Sequence, residues 1–150
     1  MPKTRIIALD VGEKRVGVAA TDPLGLTAQP LAVIQRKPHG LFLEAVSRMA
    51  DERKAELIVL GLPRRSDGTM GPEAQRVLSL AHELRTRLGL SVDTYDERMT
   101  TAMADRVLDQ AGLGHRERRE VVDKTAAAII LDGYLAKREN SADLDAIPKP

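Results

Sequence analysis

Three carboxylates far apart along the chain have the residue type and local setting to do chemistry. Asp10 closes an apolar, β-rich run, Arg5 to Leu9, and stands before Val11-Gly12. A carboxylate there projects from the carboxyl edge of a sheet, where ligands of open α/β folds bind. Gly12 lets a backbone or a phosphate approach closely. The plainer reading is a turn-forming aspartate. Glu97 follows a second apolar run, in Asp96-Glu97-Arg98-Met99-Thr100-Thr101; its plainer reading is an acid complementing a helix start. Asp123 opens a stripe with Ala126, Ala127, Ile130, Leu131 and Tyr134, which share one helix face at spacings of three and four. A lone carboxylate on a packing face is costly unless it is paired or binds a metal; the alternative is an N-cap, with the helix starting at Lys124. Three acids converging at one edge suit a hard cation with oxygen ligands, Mg²⁺ or Mn²⁺. Two such ions ~3.5–4 Å apart can clamp the attacking and leaving oxygens of a phosphodiester displacement. Zinc is poorly served: cysteine is absent, and His39, His82 and His115 show no ligand spacing.

The elements that must carry these acids follow from pattern. A first strand over Arg5 to Leu9, a turn over Val11 to Lys14 and a second strand over Arg15 to Ala20 make a hairpin. Leu31 to Gln35 reads as a third strand, broken by Pro38-His39-Gly40. Phe42, Ala45, Val46, Met49 and Ala50 recur at helical spacing. Leu57 to Leu60 is a fully apolar strand, covered on both faces. Residues 61–71 read as a loop, rich in Gly, Pro, Asp and Ser. Pro72 opens and Gly89 ends a helix striped by Ala74, Val77, Leu78, Ala81, Leu84 and Leu88. Val92 to Tyr95 is a fifth strand. A helix capped by Thr100 or Thr101, a basic connector over 112–119 and a last helix over about 122–137 complete the chain. A hairpin-led triplet followed by βα units implies an α/β mixed sheet with helices on its faces. One domain over 1–138 and a flexible tail over 139–150 are expected.

The bulk numbers limit the function classes. The chain has 150 residues, 43% hydrophobic and 30% charged, as an ordinary globular protein does. The net charge is +1, so a histone-like basic coat is excluded, although local clusters can still meet nucleic acid. Lys14, Arg15, Arg64, Arg65, Arg98, Arg116, Arg118 and Arg119 are the candidate phosphate contacts; the bland reading of each is a solvated surface. Phe42, Tyr95 and Tyr134 are the entire aromatic set, too few for a base-stacking platform. The opening apolar run is too short for a signal core or a membrane span, so a cytoplasmic protein without a membrane partner is expected.

Ala8 to Ala19, Gly61-Leu62-Pro63 with Asp67-Gly68-Thr69, Asp96 to Thr101, and Val122-Asp123-Lys124 with Ala126-Ala127 together resemble the YqgF/RuvX family. The likeness runs over about the first 138 residues, with all four motifs in order. It implies a ribonuclease-H-like fold: a five-stranded sheet of order 3-2-1-4-5 with strand 2 antiparallel. It also implies a metal-dependent endonuclease, acting as a Holliday junction resolvase in DNA recombination and repair, as a nuclease at the 5′ end of pre-16S rRNA, or both. Asp10, Glu97 and Asp123 become the metal-binding catalytic acids, with Mg²⁺ or Mn²⁺, two ions per site. Arg64, Asp67 and Thr69 form a loop beside them, branched DNA or pre-rRNA is the partner, and a homodimer is common.

One point sits badly with that resemblance. RuvC-like enzymes carry an acid on the fourth strand, beside the first, where this chain has Val59-Leu60-Gly61. Glu97 follows the fifth strand, two strand spacings or roughly 10 Å away. The chain after Tyr95 must bend back, and Asp67 is a rival ligand unless it serves an Asp-Gly turn. Two other function classes stay open: a non-catalytic nucleic-acid-binding ribosome-assembly factor, and a phosphate-binding module of the actin and sugar-kinase type.

Overall fold

The computed structural model describes residues 4–97 and 126–138. Five strands form one sheet: β1 (Ile6–Val11), β2 (Arg15–Thr21), β3 (Ala28–Gln35), β4 (Leu57–Leu62) and β5 (Ser91–Asp96). Their order is β3-β2-β1-β4-β5, with β2 antiparallel to both neighbours and β1, β4 and β5 parallel. This is the expected ribonuclease-H-like arrangement.

The sheet separates two cores by its pleat. Ile7 and Leu9 of β1, with Ile58, Leu60 and Leu62 of β4, face helices α1 (His39–Arg53) and α2 (Pro72–Leu88). α1 contributes Phe42, Val46 and Ala50 at four-residue spacing, and α2 contributes Ala74, Val77, Ala81 and Leu84. Ile6, Ala8, Leu57 and Val59 face the other way, onto Ala127, Ile130 and Leu131 of the helical residues 126–138. β4 is buried at all six positions because it is covered on both faces and paired on both edges.

That last helical segment is tied to the sheet from 138 back to 130. Arg138 Nη2 donates to Thr4 Oγ1 (3.2 Å), and Tyr134 Oη donates to Asp93 Oδ2 (2.8 Å). A Cβ on Gly133 would lie 2.5 Å from Tyr95 Oη, so the missing side chain lets the helix rest against β5.

Four boundaries depart from the sequence expectation. β3 begins at Ala28 rather than Leu31, with Pro30 inside it; an edge strand tolerates the missing donor. β1 runs on through Asp10 to Val11, which the sequence assigns to the turn, and helix α1 begins at His39 directly after Pro38, whose extended backbone (ψ 148°) makes it the N-cap. β4 runs on through Gly61 and Leu62, which the sequence assigns to the loop. The helix expected after Thr100, the connector over 112–119, the start of the last helix and the tail over 139–150 lie outside the described residues. Among the described residues, no helix is long and apolar enough to cross a membrane.

Candidate active site

Asp10 shares its sheet face with Ile6 and Ala8, the face covered by residues 126–138. Its partner on β2 is Gly17. On the other side, the register Ala8↔Val59, Leu9↔Leu60 brings Gly61 beside it, and Gly61 pairs with Tyr95 of β5. Asp10 is thus flanked on its own face by two glycines, and the nearest full side chain in that direction belongs to β5.

The gap over Gly61 is filled by Glu97. The chain leaves the extended conformation for a helical turn at Glu97, directly after β5. Its side chain folds back across β4: a Cβ on Gly61 would collide with Glu97 Oε1, come within 2.8 Å of its Cγ, and lie 2.6 Å from Ile130 Cδ1. The carboxyl group then reaches Asp10 and hydrogen-bonds to it. Burial pushes the Glu97 carboxyl up to about 9; the hydrogen bond to Asp10 and the negative charges of Asp10 and Asp96 add to the rise. The expected separation between the first and fifth strands is therefore spanned by a side chain crossing a glycine, together with the bend after Asp96.

Two facing carboxyl groups that share a proton suit a divalent cation, which would replace the proton and neutralise both. The donors are all oxygen, which matches Mg²⁺ or Mn²⁺ rather than a softer metal. Among the described residues, no three acids or histidines gather to hold an ion without further help. Asp123, the expected third acid, lies outside the described residues, as do Arg98, Arg116, Arg118 and Arg119.

The other expected residues are described. Lys14 is exposed on the turn between β1 and β2, and half-buried Arg15 opens β2 on the Asp10 face. Arg64 and Arg65 are exposed on the loop after β4. Asp67 Oδ1 accepts from Thr69 N (2.9 Å) and Thr69 Oγ1 (2.6 Å), within a turn closed by Gly68 N donating to Arg65 O (2.8 Å). Gly68 supplies the positive φ of 88° that this turn requires. These contacts fit the Asp-Gly turn reading of Asp67.

Two residues of this region escaped the sequence reading. Arg36 braces the turn beside Asp10: its Nη1 donates to Gly12 O (2.7 Å) and its backbone N to Lys14 O (3.0 Å). Gly61 is the other; an isolated glycine inside a buried apolar run was its signal. A cavity of about 710 Å³ lies away from the acids, on the α1–α2 side, between Arg36, His39, Phe42, Arg76 and Glu83. None of the candidate acids lines this cavity, so the carboxylate pair, at the open sheet edge, is taken as the candidate site.

Comparison with known proteins bears on the family and the fold. The family model described as "RuvX: Holliday junction resolvase" matches residues 4–137. The chain belongs to the RuvX family. A Moorella thermoacetica relative named "Putative pre-16S rRNA nuclease" is 47% identical over 131 residues, 87% of this chain and 94% of that protein. A Clostridium botulinum relative of the same name is 40% identical over 131 residues, 87% and 96% of the two chains. Among solved structures, Thermus thermophilus RuvC in complex with a Holliday junction substrate aligns with a TM-score of 0.57 at 15% identity, covering 91% of this chain and 97% of that one. Fowlpox virus resolvase in complex with Holliday junction DNA aligns with a TM-score of 0.55 at 11% identity, covering 89% and 98%. The two structural likenesses speak for this RuvX chain's fold alone.

Proposed function

We propose that this RuvX chain is a metal-dependent endonuclease that hydrolyses phosphodiesters of structured nucleic acid, with the 5′ end of pre-16S rRNA as its substrate. The observation that carries the reading is the Asp10–Glu97 carboxyl pair joined across Gly61 at the carboxyl edge of the sheet. The choice of RNA rests on relatives 40–47% identical over nearly their whole length, whose name is that of a pre-16S rRNA nuclease. The description of the family model favours a second reading, four-way DNA junctions.

In this reading Asp10, Glu97 and Asp123 hold two divalent ions, Mg²⁺ or Mn²⁺. Contacts along the last helix support the third acid. Tyr134 meets Asp93, Gly133 meets Tyr95, and Ile130 meets Gly61 beside Glu97. From Arg138 beside Thr4 through Tyr134 beside Asp93 to Gly133 beside Tyr95, the helix runs back toward the carboxyl edge of the sheet, and Ile130 meets Gly61 at the level of Tyr95. Asp123 precedes Ile130 by seven residues in the sequence, a spacing that shares one helix face. The ions would supply Lewis-acid polarisation of the scissile phosphate and an activated water at neutral pH. The protein's own part is to orient them and to draw the backbone in. Lys14, Arg15, Arg64 and Arg65, with Arg98, Arg116, Arg118 and Arg119, are its phosphate contacts, and Arg36 holds the turn that presents Lys14. A homodimer would give a resolvase the two sites that symmetric cleavage needs.

The test is side-by-side cleavage of a pre-16S 5′ leader and a synthetic four-way junction in Mg²⁺ and Mn²⁺, with Asp10→Asn and Asp123→Asn proteins as controls. Leader cleavage lost in both variants is expected. Junction cleavage alone would move the substrate to DNA. Cleavage that survives in either variant refutes the site, and binding without cleavage by the wild type favours a non-catalytic assembly factor.

A further inference from the structure

We propose that Gly61 is a positioning residue of this site: its missing side chain is the aperture through which Glu97 crosses β4 to meet Asp10. The inference rests on the metal-site reading above and adds a requirement to it. A carboxylate carried after β5 has β4 between it and β1. Any side chain at position 61 on the Asp10 face would stand in its path, because residues two apart in a strand share a face and neighbouring strands are only ~4.8 Å apart.

The space is fully used from both sides. Glu97 Cγ lies 2.8 Å, and Ile130 Cδ1 2.6 Å, from the point a Cβ would occupy, and Glu97 Oε1 is closer still. Glu97 and Ile130 each approach the bare backbone of Gly61. Gly61 is buried and carries no positive φ, so the requirement is for room and not for backbone freedom. Alanine would also be compatible with a β-strand by local preference, which leaves the Glu97 crossing and the close approach of Ile130 as what excludes it.

The two causes are separable. Ile130→Val removes the Cδ1 contact and leaves the Glu97 collision alone. Mn²⁺ affinity is measured by paramagnetic titration, and unfolding is measured on EDTA-treated protein. Ile130→Val should bind Mn²⁺ as the wild type does. Ile130→Val/Gly61→Ala should bind about 10- to 100-fold more weakly, the range seen when groups that orient metal ligands are lost. In a Glu97→Ala background, Gly61→Ala should change Mn²⁺ affinity by less than about twofold, because the ligand it displaces is already gone. The metal-free readout is independent: the melting-temperature penalty of Gly61→Ala should fall by at least half when Glu97 is alanine. Gly133→Ala, which disturbs the same helix against Tyr95, should lower stability and leave Mn²⁺ affinity intact.

Wild-type affinity in Ile130→Val/Gly61→Ala, or an unchanged stability penalty in the Glu97→Ala background, would overturn the aperture. Wild-type Mn²⁺ affinity in Asp10→Asn would instead overturn the metal site on which it rests.

Discussion

Glu97→Gln should make the metal-free protein more stable while removing the gain that metal provides. Glutamine has the shape of a neutral glutamic acid and keeps a donor for Asp10. The wild-type carboxyl is held up at about 9 against an ordinary 4.5, so at pH 7 the folded chain carries a proton that the unfolded chain has released. Holding that proton at pH 7, about 2.5 pH units above the unfolded value of 4.5, costs about 3 kcal/mol. Solvent reaches part of the side chain and screens the effect, which leaves about 1–2 kcal/mol. The sign follows from the raised value: the penalty is absent below about pH 4.5, grows as the pH rises, and levels off near 9.

The assay is thermal unfolding followed by far-ultraviolet circular dichroism at pH 4.5, 7 and 8.5, in EDTA and in Mg²⁺. In EDTA at pH 7 the variant should melt about 3–8 °C above the wild type, and the gap should close at pH 4.5. In Mg²⁺ at about 100 times its Kd the wild type should gain about 2.7 kcal/mol, while the variant, short of one anionic ligand, gains less. A variant less stable than the wild type at pH 8.5 in EDTA would refute the argument, as would a gap of the same size at every pH.

Three other outcomes follow from separate parts of the molecule. Leu84→Ala empties a fully buried position on α2 and should cost about 2–5 kcal/mol by urea denaturation; it lies on the sheet face away from Asp10, so Mg²⁺ should stabilise the variant as much as it does the wild type. Tyr134 is pushed up to about 12 by burial and by its bond to Asp93, so ultraviolet titration should show a phenol ionising near pH 12 that Tyr134→Phe abolishes, with about 0.5–1.5 kcal/mol of stability lost below pH 10. Neutralising Arg118 and Arg119 together should flatten the slope of log affinity against log salt by about 1.4–1.8 for the nucleic-acid substrate; an unchanged slope would return both to ordinary surface.

The strand directions were legible because local rules compound, while the order 3-2-1-4-5 was implied by the family resemblance. A tight hairpin fixes β1 beside β2 and antiparallel to it, and βα crossovers force β4 and β5 parallel to β1. Both faces of Leu57–Leu62 are apolar, which marks it as central. Helix α2 was legible from Pro72 to Gly89 because both ends carry residues with a single strong backbone preference, and Gly89 takes the left-handed φ of 67°. The start of α1 was not, since Pro38-His39-Gly40 contains two residues that usually end helices, and only the tertiary docking of Phe42, Val46 and Ala50 decides that they begin one. The pair His39–Glu83 (2.7 Å) joins residues 44 apart on two helices, and no periodicity within either helix announces it.

Asp10 and Glu97 were legible as candidate acids and their meeting was illegible as a geometry, for one physical reason. Sequence patterns report what side chains fill, and this site depends on two places where none does. Asp10 stands between Gly17 and Gly61, and the strand that separates it from Glu97 is bare at the point of crossing. Read along the chain, Gly61-Leu62-Pro63 looks like the start of a loop, because glycine and proline close together usually punctuate an element. Only the pairing of Gly61 with Tyr95 turns that glycine into a gap in a row of side chains. The same pairing removes the apparent conflict between an acid after β5 and the metal site proposed at β1. A chain without an acid on the strand next to β1 can still bring two carboxylates together if that strand carries nothing in their way. The position of the acid and the bareness of Gly61 are therefore one feature of the fold, and changing either alone should undo the pair.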